Sequence, residues 1–241
     1  MTIKRHTIFQ HSLISSLIAG VYDDDLTLQE LLGHGSFGIG TFNALDGEMI
    51  VIDGHCYQMR SDGTISEPDL SEKTPYAVVT NFVPSIRKEL TGNLSRKDVD
   101  RIVGELEPSP NYVYAVRITG EFNWVTTRTV ARQTRPYPPL VEATDGEEIL
   151  RFENVKGTLA GFRSPKFQST VAVPGCHVHF LDDEHTQGGH VVDYDIKNVL
   201  VEMCIGTDMQ LRLPLTQEFM EADLVPDDLM EQLNKAEHSS H

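Results

Sequence analysis

Cysteine is scarce in this 241-residue chain, with Cys56, Cys176 and Cys204 the only three. They are too few for a disulfide framework and none falls in a CxxC pair, so a disulfide-stapled scaffold and a dithiol redox motif are excluded and reduced thiols are expected. Positive charge is also short. Twenty Lys+Arg face 36 Asp+Glu, a formal net charge of −16. Proteins that neutralise phosphates need the opposite balance, which argues strongly against nucleic-acid binding and a polybasic membrane anchor. Such a chain repels anionic substrates unless a metal or an arginine supplies a local positive focus. No run of about 18 apolar residues occurs, so no membrane-spanning helix is expected. Lys4, Arg5 and His6 ahead of the apolar run at 13–19 superficially resemble a signal peptide. Ser15 and Ser16 dilute that run, however, no A-x-A-like site follows, and Asp23, Asp24 and Asp25 come next. An amphipathic helix pairing Leu13 with Leu17 and Ile14 with Ile18 is expected instead, in a cytoplasmic protein.

What is present is globular: 39% hydrophobic and 23% charged residues, at a length suited to one large domain or two intimate ones. A short helix is expected over 26–32, stopped by Gly33 and Gly35. Strands are expected between 37 and 57, turning at Asp46-Gly47, and again over 76–82. Residues 85–106 read as helix, with a cap signal at Ser95 and Asp98, and 113–118 as an alternating strand. The proline-rich stretch 135–139 is the best boundary or crossover. Beyond it, strands are expected over 155–162, 169–173, 176–181, 190–196, 199–205 and 209–213. A helix over 217–235, interrupted near Pro226, and a frayed end at 238–241 complete the chain. The expected class is α+β, mostly β: a mixed N-terminal sheet with helices, plus a small antiparallel C-terminal barrel-like sheet carrying a metal site. The division would fall at 1–135 and 136–241, unless the two parts form one composite domain.

Histidines carry the sharpest chemical signal. His177 and His179 flank Val178, and in a strand they share a face about 7 Å apart along the chain. Residues 182–189 read as a hairpin loop that returns His190 towards that pair. Three imidazoles converging from a sheet make a metal site whose fourth position is open, the catalytic rather than structural pattern for zinc. Three surface histidines on a hairpin are the alternative. His185 falls within the turn; His11, His34 and His55 have no partner in sequence and read as structural. Spacing alone makes Glu48, beside the Asp46 turn, either a half-exposed strand end, the favoured reading, or a group pointing into a cavity, and Arg128 an edge-strand charge or ion pair.

Whole segments say more. The stretch from His34 to Met59 (HGSFGIGTFNALDGEMIVIDGHCYQM), together with RTVARQTRPYPPL, GTLAGFRSPKF and above all PGCHVHFLDDEHTQGGHVVDY, resembles the α-acetolactate decarboxylase family over nearly the whole chain. The resemblance implies decarboxylation of 2-acetolactate to acetoin and CO2 through a metal-stabilised enediolate, with Zn2+ on His177, His179 and His190. It implies a glutamate and an arginine beside the metal, at Glu48 and Arg128, and less firmly a second glutamate at Glu237 in the loosely aligning tail. Ser36 stands where an acidic residue is expected, among glycines that are retained. A carboxyl that donates a proton near pH 7 needs its pKa raised by burial, which is the role expected of Glu48, alone or with Glu237. Arg128 is expected to orient the departing carboxylate without binding it tightly, because tight pairing stabilises the ground state. A homodimer is expected from apolar edge strands and from the resemblance.

Two other readings stay open. His177 and His179 followed by Glu184 match part of a cupin-like ligand set, which on iron would mean dioxygenase or isomerase chemistry. Alternatively the chain is a non-enzymatic binding module stapled by a four-coordinate zinc, with Cys176 or Cys204 as a ligand. Cys176 precedes His177 and so faces the opposite way.

Overall fold

The computed structural model describes residues 6–145, 147 and 149–238, with side chains as far as residue 236. Glycine turns cut the first part into short elements. These are β1 (Thr7–His11), α1 (Ile14–Ile18), α2 (Leu28–Leu32), β2 (Phe37–Thr41), β3 (Glu48–Ile52), β4 (His55–Met59), β5 (Ile65–Ser66) and β6 (Ala77–Thr80). Longer elements follow: β7 (Ile86–Ser95), α3 (Arg96–Leu106), β8 (Val113–Arg128), α4 (Leu140–Ala143), β9 (Ile149–Ser164), β10 (Gly175–Asp182) and β11 (Gly188–Gly206). The chain then forms β12 (Asp208–Arg212), α5 (Gln217–Glu221) and α6 (Leu229–His238).

Seven strands form a mixed sheet in the order β12-β1-β6-β2-β3-β4-β5, with β12 parallel to β1 and the other pairs antiparallel. Five form an antiparallel sheet in the order β10-β9-β8-β11-β7, and an added β10–β11 pairing closes four of them into a small barrel. Strand membership crosses residue 135 in both directions: β7 and β8 belong to the barrel sheet, and β12 completes the other.

Period-2 alternation sorts the side chains into two main cores. On β10, Val178 and Phe180 enter the barrel with Phe122, Tyr194 and Val201. Leu181 instead faces the seam between the sheets, where Ile8, Ile14, Ile39, Ile50, Ala115 and Phe162 pack. On β3 the same alternation sends Ile50 to the seam and Met49 and Val51 to the outer face, beneath Leu28 and Leu31 of α2. Each fully buried large aliphatic or aromatic side chain contributes about 1.5–3 kcal/mol, so these rows fix the register that aims the site residues. Backbone approach is close as well. A Cβ at Gly161 of β9 would overlap the carbonyl oxygen of His177.

Several local expectations are corrected. Residues 85–106 divide into β7 and α3, and Ser95, expected within a helix, is the cap that starts one. Its hydroxyl and the Asp98 carboxylate form a reciprocal capping box. Residues 169–173 are a turn rather than a strand. The run 48–59 folds back at Asp53 (φ 50°) and Gly54 (φ 88°), the left-handed pair of a tight hairpin. Helix α1 is buried all round rather than on one face, its serines included, with Ser16 Oγ donating to the Leu13 carbonyl at 2.6 Å. The expected fraying over 238–241 falls beyond the described side chains.

Candidate metal centre

Strand β10 carries His177 and His179 on the seam face, and the hairpin to β11 sets His190 directly opposite His179 in register. The ring centroids form a near-equilateral triangle, with sides of 5.4 Å (His177–His179), 5.0 Å (His177–His190) and 5.4 Å (His179–His190). One nitrogen from each ring lies within 4.8 Å of the others, and among the described residues this is the one such cluster of potential ligands.

The donor set fits a divalent cation. His179 Nδ1 lies 2.7 Å from the Met49 carbonyl oxygen, which can only accept, so Nδ1 carries the proton and Nε2 keeps its lone pair for a metal. Burial, reinforced by His177 and Arg128, pushes the His179 pKa down to about 3, although the bond to Met49 opposes the shift. His190 is driven well below its ordinary value by burial first, then by His177, Arg128 and His179. Imidazoles held neutral are ready to coordinate without first losing a proton.

Other elements close around the triangle. Glu48 opens β3 on the same side as Ile50, and its Oε2 lies 3.4 Å from His179 Nε2. Arg128 ends β8 opposite His190. It donates through Nη2 to the Ala236 carbonyl of α6, and its Nε faces Glu147 Oε2 at 3.5 Å. These groups line one cavity of about 50 Å³, with Thr41, Tyr76 and an apolar wall of Ile14, Leu17, Leu45, Val130 and Leu140. That is room for a few water-sized groups. Apolar walls lower the local dielectric and strengthen every charge interaction inside.

Five of the six expected site residues, Glu48, Arg128, His177, His179 and His190, therefore meet in one place. The sixth, Glu237, follows Ala236 in α6, but its side chain lies outside the described residues. Glu147 was not anticipated. It lies in an acidic segment after α4, with no periodicity to betray a buried carboxylate. Tyr76 and Thr41, on the neighbouring part of the other sheet, likewise carry no motif.

The rival ligand sets do not assemble. Glu184 is exposed in the β10–β11 turn, and Cys176 packs against the barrel core, where burial pushes its thiol up to about 12. Four other histidines have structural neighbours. His11 pairs with Asp24 at 2.9 Å, His34 stacks on Phe9, His55 meets Glu67 at 3.3 Å and His185 tilts onto Tyr57. Asp46 ties down its turn through Arg60 and Arg132.

Comparison with known proteins identifies the family and its fold. The sequence model of the family described as "Alpha-acetolactate decarboxylase" matches residues 8–226. A protein of that name from Bacillus subtilis is 41% identical over 232 residues, covering 96% of this chain and 91% of that one. Another from Methylococcus capsulatus is 42% identical over 219 residues, covering 91% and 84%. The crystal structure of alpha-acetolactate decarboxylase from B. subtilis strain 168 superposes with a TM-score of 0.95 at 41% identity, covering 97% of this chain and all of that one. On sequence and fold, the chain belongs to the alpha-acetolactate decarboxylase family.

Proposed function

We propose that this protein is a carboxy-lyase that converts 2-acetolactate into acetoin and CO2, with Zn2+ as its resident cation. The observation that carries the reading is the convergence of three imidazoles, Glu48 and Arg128 on one apolar-walled cavity in a member of this family. His177, His179 and His190 would hold the cation, which when bound supplies Lewis acidity to the adjacent ketone and hydroxyl oxygens of the substrate. Neutral nitrogen donors leave its full charge in place, the positive focus an acidic chain needs to admit an anion.

The chain's own groups do the rest. Arg128 orients the carboxylate that leaves as CO2. Glu48, through Oε2, delivers a proton to one face of the electron-rich carbon left behind, so that a single acetoin enantiomer forms. Its position on β3, opposite the barrel sheet that carries the imidazoles, fixes which face that is. Leu45, Val130 and Leu140 keep bulk water from competing as the proton source. Glu237, next to the carbonyl that Arg128 holds, acts in concert with Glu48.

The protein works as a cytoplasmic homodimer. Supporting the dimer, β12 is an edge strand that exposes Met209 and Leu211, and Leu213 and Leu215 just beyond it are exposed too, the last 93%. Incubation with racemic 2-acetolactate, following CO2 and acetoin before and after chelation, tests the activity. The expected result is activity abolished by chelator and restored by zinc. Metal-free protein that still makes acetoin overturns the proposal.

A further inference from the structure

Arg128 is the only lysine or arginine among the described residues that line the cavity. Its side chain is 10% exposed, and its guanidinium already faces a carboxylate, Glu147, that is 8% exposed. Glu147 also lines a second, wider cleft of about 210 Å³, shared with Met59, Arg60, Ile65, Phe152 and Gln187. It therefore stands in the wall between this outer cleft and the histidine cavity, and it lines both. An anion that reaches Arg128 meets a buried cation whose charge is already partly balanced by the protein.

We propose that Glu147 is a positioning residue that competes with the substrate carboxylate for Arg128. The inference rests on the decarboxylase reading and adds a determinant of how firmly the anion is held. A guanidinium presents five N–H donors in a fixed fork. With Nη2 committed to the Ala236 carbonyl and Nε facing Glu147, only part of that fork is offered to the ligand. The carboxylate about to leave is thus oriented by directional hydrogen bonds while the nearby negative charge keeps it loosely bound. Loose binding is what the reaction requires, because a carboxylate stabilised in the ground state is harder to expel as CO2. Without Glu147 the same arginine would hold the substrate more tightly and turn it over more slowly.

The test uses zinc-loaded enzyme, Glu147→Gln and Glu147→Asp, with steady-state kinetics on 2-acetolactate. Calorimetric binding of 2-hydroxyisobutyrate, an anionic probe, and 2,3-butanediol, a neutral one, runs beside it. Glu147→Gln should lower KM and the dissociation constant of the anion about 3–30-fold, as expected for removing a like charge next to a bound one. It should lower kcat as well and leave the diol within about twofold, while Glu147→Asp restores wild-type values. A KM that rises or stays put, or two probes that shift together, overturns the proposal, since damage to the cavity would weaken both. The probes bind without turnover. If wild-type enzyme fails to decarboxylate 2-acetolactate, the functional reading falls, and the anion-to-diol ratio still decides what Glu147 does to Arg128.

Discussion

Glu48 Oε2 stands 3.4 Å from His179 Nε2, the ring nitrogen left available for a cation, so that the proposed acid and a proposed metal ligand address one point from two different sheets. Glu48→Gln keeps the shape and removes the transferable proton. Turnover should fall about 10²–10⁴-fold, the usual contribution of a positioned general acid, with metal content by elemental analysis unchanged. A near-normal rate would eliminate Glu48 as the acid.

The imidazole triangle predicts loss of metal on removing any corner. His190→Ala should leave metal well below one equivalent per chain after dialysis and abolish acetoin formation. It should also abolish the rise in Tm expected when zinc is added to the wild-type apoprotein and binds only the folded state. Full occupancy in that variant would mean that the cation sits elsewhere.

Arg128→Ala removes the charge proposed to orient substrate and a donor to the Ala236 carbonyl of α6. Both KM and kcat should suffer, alongside a stability loss of about 1–3 kcal/mol from a buried carbonyl deprived of its donor. Unchanged kinetics with lowered stability would make Arg128 a structural ion pair.

Asp24 gives a pH signature away from the cavity. Its own burial would raise the carboxyl, but hydrogen bonds from His11 and from the Asp25 N–H outweigh that and hold it below the usual carboxylate range. The unfolded chain therefore takes up the proton first. The stabilisation is fully present above the ordinary value near 3.8 and is lost as pH falls through the lower folded value. Asp24→Asn should cost about 1–3 kcal/mol at neutral pH and make the acid limb of the stability curve shallower. An unaltered acid limb in denaturant titrations would refute this.

The apolar edge at β12 predicts that Leu211→Lys shifts sedimentation from dimer to monomer without lowering the cooperativity of unfolding. A wild-type monomer at micromolar concentration would remove the basis for the dimer.

The sequence was most legible where one physical rule acts alone. Alternation placed His177 and His179 on one face, and the glycine-bearing hairpin returned His190, so the triangle follows from strand geometry. Glu48 and Arg128 were different. Spacing made them an ordinary strand end and an edge charge, and only whole-segment resemblance singled them out, because their burial arises between two sheets far apart in sequence. Residues 85–106 misread because the Lys88–Glu89 charges and the moderate apolarity of β7 mimic an exposed helix, whereas pairing with β11 decides the matter. Glu147 was invisible for the opposite reason. An acidic turn is nearly always solvated, and only the approach of Arg128 from β8 makes this one an inner wall.

The acceptor that fixes the His179 proton is a main-chain oxygen at Met49, adjacent to Glu48 in the chain. Any amino acid at position 49 supplies that oxygen, so exchange of the side chain there leaves the ring's tautomer alone. A one-residue slip of the β3–β4 hairpin would be another matter. It would carry the carbonyl away from the imidazole and turn the neighbouring carboxylate to the outer face in the same movement. The orientation of the His179 ring and the placement of the Glu48 carboxylate are therefore inherited together, as one indivisible trait of a single hairpin register.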